Sequence, residues 1–141
     1  MTGPVAAHRA AVKALLEPLM TTIPGYPGGQ VSAEPEFPYW VLFLGTGTDD
    51  DTKLSGDPDE LTLRFQVNSV GLTDDSAVTV VDKTRALLLG ARPVVAGWSC
   101  HRIRRVPTDV PLQADTDVTL PDANLHPMYA VDIYELVSRK D

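Results

Sequence analysis

The chain has 141 residues, the size of one ordinary domain whose single core buries roughly two-thirds of the unfolded surface. A formal net charge of −7, from 12 Lys and Arg against 19 Asp and Glu, excludes a surface built to hold nucleic acid by neutralising phosphates. Hydrophobic residues at 43% and charged residues at 22% specify folding over disorder, and a single cysteine, Cys100, excludes an internal disulfide and points to a reducing compartment.

Twelve prolines and ten glycines predict short elements joined by definite turns. Thr2-Gly3-Pro4 opens a helix, because a proline near the first helical position gives up an N–H that has no partner there. Val5, Val12, Leu15, Leu16, Leu19 and Ile23 recur at three- and four-residue steps and form its apolar face. Pro18 should kink or end it near Glu17, and Pro24 to Gly29 break the chain. Residues 39–44, YWVLFL, are apolar on both faces and read as a central strand. Residues 45–60 carry six acids against one lysine without apolar periodicity, so a long exposed connection is expected.

From Leu61 to Val70 the chain alternates cleanly, with Leu61, Leu63, Phe65 and Val67 on one side and Thr62, Arg64, Gln66 and Asn68 on the other. This strand should pair with 39–44 as a long antiparallel hairpin. Asp74 or Asp75 is expected to cap a second helix that presents Ala77, Val81, Leu87 and Leu88 and ends at Gly90. Cys100–Val106 and Asp117–Leu120 read as short strands, and Met128–Val137 as the last. The fold class is α+β in a single domain, residues 1–141, with two helices packed on one face of a mainly antiparallel sheet.

Little in the sequence carries chemistry. The strand-to-helix turn Gly71-Leu72-Thr73-Asp74-Asp75 has one glycine, no lysine and two carboxylates, which would repel a phosphate from the helix start. It is a corner. Gly45-Thr46-Gly47 lacks the third glycine and the helix of a dinucleotide turn. Asp49-Asp50-Asp51 lacks the alternating oxygens of a calcium loop. Cys100 and His101 would emerge from opposite faces of a strand, so they share no metal and form no nucleophile–base pair; His8 and His126 fit no ligand spacing. No metal or cofactor is expected. His101-Arg102-Ile103-Arg104-Arg105 is the one basic cluster. Its arginines either pair across strands with acids such as Asp132 or Glu135, or contact another subunit's acidic loop. The N-terminus shows no leader pattern, and the apolar run 39–44 is far too short to span a bilayer, so a soluble intracellular protein is expected.

A Pro-Gly break follows the first helix, then PYWVLF and the acidic loop, LRFQVNSVG, the helix AVTVVDKTRALLLG, RPVVAGWSC and PMYAVDIYELVSR. This order, over about residues 5 to 138, resembles the tail terminator proteins (also called minor tail or neck proteins) of long-tailed phages that infect actinobacteria. The resemblance implies a non-enzymatic virion protein, assembled in the host cytoplasm as a homo-oligomeric ring, a hexamer. Such a ring caps the head-proximal end of the tail tube, stops its polymerisation and meets the head connector or stopper protein. DNA passes its lumen without specific binding, and no membrane is involved. Charge and exposure single out Asp49, Asp50, Asp51, Lys53, Asp57, Arg102, Arg104 and Arg105 as subunit or tube contacts. The alternatives are a head-completion or stopper neck protein, a small ligand-binding module, and a small hydrolase using Ser99, His101 and an aspartate.

Overall fold

A computed structural model describes residues 3–50, 59–108, 110–120 and 125–141, with residues 49 and 50 as backbone alone. Helix α1 spans Pro4–Leu16, with Pro4 in its first turn, and passes into a 3-10 turn over Glu17–Thr21. The break falls where Pro18 removes an N–H that a continuing helix would need. Strands β1 (Gly25–Tyr26), β2 (Tyr39–Leu44), β3 (Thr48–Asp50) and β4 (Glu60–Gly71) follow. Helix α2 spans Asp74–Leu88, and β5 (Trp98–Cys100), β6 (Arg104–Val106), β7 (Gln113–Ala114) and β8 (Met128–Lys140) complete an α+β fold.

The eight strands form one sheet in the order β1-β2-β4-β8-β5, with β3 also pairing β4 and β6 and β7 also pairing β8. Among the described residues only β1 and β2 run parallel; the other pairings are antiparallel. β4 and β8 are the long central ribs, paired from Glu60↔Arg139 to Gly71↔Met128. Both helices lie on the same face. There Val12 and Leu16 of α1 and Val80 and Leu88 of α2 close over Trp40, Leu42, Leu63, Phe65, Val67, Tyr134 and Leu136. Phe65 and Tyr134, opposite each other in register, stack with centroids 5.3 Å apart.

Several expectations need correction. β2 is not central, because beyond it lies only the two-residue β1. The 45–60 connection is not wholly irregular: β3 resumes pairing with β4 after Gly45 and Gly47, with Thr48 opposite Thr62. The expected strand Cys100–Val106 is two strands: the His101 N–H still reaches Val137 O of β8 at 2.8 Å, and the chain then turns away, so that the Ile103 N–H reaches Ala91 O at 2.8 Å. Asp117–Leu120 forms no strand: Asp117 lies in a turn, and the pairing with β8 is made earlier, by Gln113 and Ala114. β8 runs three residues past Val137 because β5 and β4 flank its end.

The cap of α2 is Thr73, whose hydroxyl accepts the Ser76 N–H at 3.1 Å, and not Asp74 or Asp75. Both aspartates sit in the first turn, where they favour the positive end of the helix dipole. Gly71, just before this cap, has no room for a side chain, because a Cβ would lie 2.5 Å from the Ala77 nitrogen. The corner is tight because helix backbone packs directly on strand backbone.

His8 was the residue that spacing could not place. It is fully buried under α1, where Nδ1 donates to Pro4 O at 2.6 Å and Nε2 hydrogen-bonds with the Ser138 hydroxyl at 2.8 Å. A carbonyl can only accept, so Nδ1 carries a proton. Cys100 Sγ lies 3.5 Å from the same hydroxyl, and Trp98 meets the imidazole edge-on with centroids 4.9 Å apart. This group ties α1 to the end of β8. It is a fastener, sealed from solvent.

Candidate functional site

β8 carries two buried acids on opposite faces, and each is held by two arginines. Asp132 and Tyr134 point toward the helices, while Glu135 points out of the other face, following the period-2 alternation of a strand. On the helix side, Arg85 of α2 grips Asp132 in two-point fashion, with Nε and Nη2 each at 2.8 Å from an oxygen. Arg105 approaches the same carboxylate at 3.8 Å, and the Tyr134 hydroxyl at 3.5 Å. The Asp132 hydrogen bond holds the Arg85 guanidinium above its ordinary pKa. Burial first, and then the Asp132 charge, push the Tyr134 phenol well above its usual range.

On the outer face, Arg104 of β6 grips Glu135 Oε1 through Nε at 3.0 Å and through Nη2, and Arg64 Nε donates to Oε2 at 3.0 Å. Glu135 is only 6% exposed, whereas the Arg64 and Arg104 side chains are 66% and 71% exposed. The register explains the arrangement, since Arg64, Glu135 and Arg104 occupy one cross-strand row. The neighbouring row reads Phe43, Gln66, Ile133, Val106. Phe43 is 41% exposed, and Gln66 is turned onto Asn68 at 2.8 Å. A depression of about 380 Å³ opens beside Arg64 and Glu135 at the Gly45–Gly47 bend. A second, of about 320 Å³, joins it over Phe43 and Ile133.

Glu135 makes a testable contribution. The Arg104 hydrogen bond, with Arg64 second among the attractive partners, holds its carboxyl below the ordinary value against the opposing effect of burial. A lowered folded-state value means fewer bound protons in the native state than in the unfolded one. The contribution is therefore full above the unfolded value of about 4.3 and is lost as pH falls through the folded value. Glu135→Gln should destabilise the protein at pH 7, with the gap to wild type closing below about pH 4. Urea melts at both pH values read this, and a gap that widens on acidification contradicts it.

Among the described side chains, the arginines singled out from the sequence are divided between different surroundings. Arg104 and Arg105 sit side by side on β6 but serve opposite faces of the sheet through Glu135 and Asp132. Arg102 donates to Gly90 O at 3.2 Å, at the end of α2. Asp49 and Asp50 lie in β3, opposite Leu61 and Glu60, while Asp51, Lys53 and Asp57 lie outside the described residues. Arg64, which completes the outer cluster, could be placed on a face from the sequence, but its distance of 71 residues from Glu135 hid the pairing. Ser99 donates to Asp141 Oδ1 at 2.5 Å, and no hydrogen bond joins it to His101 among the described residues, so the hydrolase arrangement is not assembled. Among the described residues no group of three or more His, Cys, Asp or Glu side chains could hold a metal, and no helix is long and apolar enough to cross a membrane.

What these observations define is a small α+β protein whose outer sheet face carries an arginine fork beside an apolar shelf. No protein-family model and no curated protein sequence matches the chain. Its fold is similar to that of a chain in the virion of a native gene transfer agent particle, with a TM-score of 0.57 at 16% sequence identity. The alignment covers 99% of this chain and 100% of that one.

Proposed function

We propose that this protein is a structural virion component, a tail terminator whose copies form a ring. The ring caps the head-proximal end of a phage tail tube, stops its growth and joins it to the head connector. The observation that carries this reading is the end-to-end fold likeness to a virion chain of a gene transfer agent particle. The segment order from PYWVLF to PMYAVDIYELVSR supports the same assignment. The net charge of −7 suits a lumen that lets DNA pass without holding it. The acidic residues Asp49, Asp50, Asp51 and Asp57, with Lys53, follow one another in sequence from β3 onward and serve as contacts to a neighbouring subunit or to the tube.

Light scattering coupled to size exclusion, over a wide concentration range and with and without tail tubes, tests the assembly. A species near six times the 15.3 kDa subunit mass is expected. A single-subunit mass under every condition overturns the reading. Replacing Asp49, Asp50 and Asp51 with alanine should leave the melting temperature of the subunit unchanged and weaken docking on the tube. A marked drop in melting temperature would instead show that these side chains, and not only the backbone pairing of β3, hold the fold.

A further inference from the structure

We infer that the outer sheet face is the docking site for the acidic run, residues 49–57, of a second copy of this chain. Arg64 and Arg104 meet its aspartates, and the row of Phe43 and Ile133 meets Leu54. The inference rests on the ring assembly proposed above.

Charge is the first support. Two guanidiniums share one carboxylate at Glu135, which leaves the fork with one surplus positive charge in a chain of net −7. Arg64 commits only its Nε to Glu135, so its two terminal nitrogens are not used by that pair. A planar fork whose terminal nitrogens have no hydrogen-bond partner among the described residues takes a carboxylate in two-point geometry. Shape and polarity are the second support. The exposed Phe43 and the half-buried Ile133 and Val106 lie one cross-strand row from the fork, and the two depressions join at Arg64.

The occupant has the complementary pattern. Residues 49–57 contain four aspartates, one lysine and a single large apolar side chain, Leu54. Glu60, at the end of the acidic stretch, is already engaged by Arg139 at 3.2 Å, so the run that docks ends before it. A face on one copy that receives a segment from the next is a head-to-tail contact. Repeated around an axis, such contacts close a ring, which a self-complementary patch would not do. Arg102 and Arg105 take no part, because the first bonds Gly90 and the second faces the helices with Asp132. Being largely exposed, the contact should weaken as salt is raised.

A charge-swap experiment tests this. One variant, R64E/E135K/R104E, inverts the fork while keeping each charge paired; the other, D49K/D50K/D51K, inverts the run. Each alone is expected to remain a subunit by light scattering, and an equimolar mixture is expected to recover the wild-type assembly. Assembly of the inverted fork alone overturns the inference. So does a mixture that fails to assemble although both variants melt cooperatively. Should the inverted fork not fold, R64Q/E135Q/R104Q removes the charges without orphaning any. This neutral variant is expected to raise the concentration needed for assembly at least about ten-fold, and wild-type assembly by it overturns the inference. Mixed rings that do not bind tail tubes support the contact and count against the terminator function.

Discussion

Arg85→Ala is expected to lower the unfolding free energy by about 2–3 kcal/mol, less than for a fully buried ion pair because the Arg85 side chain is 36% exposed. Asp132 is 4% exposed, and Arg85 supplies its two short hydrogen bonds. What remains is Arg105 at 3.8 Å and a phenol at 3.5 Å, neither close enough to replace them. The double variant Arg85→Met/Asp132→Asn should recover most of the loss, since it leaves no buried charge. Urea unfolding of the three proteins reads the cycle. A loss below about 1 kcal/mol for Arg85→Ala would show that the pair behaves as an ordinary surface bridge.

Gly71→Ala should cost about 3 kcal/mol or more, at the upper end for overpacking, because the obstacle is backbone. The added Cβ would fall 2.5 Å from the Ala77 nitrogen and 2.8 Å from the Ser76 carbonyl carbon, so the first turn of α2 must move off the end of β4. Gly90→Ala is the control. Gly90 has a φ of 77° but no atom within 4 Å of a Cβ, so only the left-handed conformation is strained, at about 1 kcal/mol. Thermal melts of both variants decide the matter. If Gly90→Ala proves the more damaging, the corner is held by conformation and not by close packing.

The two helices, the alternation along Leu61–Val70 and the last strand were legible because each is written in local periodicity. So was the corner at Gly71, where the strand passes into a capped helix with Asp74 and Asp75 in its first turn. The cap lies one or two residues before the expected Asp74 or Asp75 because Thr, Asp and Asp stand in sequence there and all three can cap. The short strands of the second half were harder. β6 and β7 are fixed by what β8 offers them and not by any pattern of their own, so Asp117–Leu120 looked as good as Gln113–Ala114.

Candidate partners Glu135 and Asp132 could be named for the Arg104-Arg105 pair, because acids and bases at strand spacing suggest cross-strand contacts. That the two arginines divide between the faces follows from adjacency on a strand. The third and fourth members, Arg64 and Arg85, come from β4 and α2 and are joined only by the tertiary fold. His8 was hidden for the same reason, with its partner Ser138 lying 130 residues away.

Electron microscopy of purified protein mixed with tail tubes of a long-tailed actinobacteriophage tests the central claim most directly. A tail terminator should appear as one ring with an open centre on a single end of each tube, and tubes so capped should stop lengthening when more tube protein is added. Protein bound along the tube walls, at both ends, or not at all while tubes keep growing would contradict a terminator.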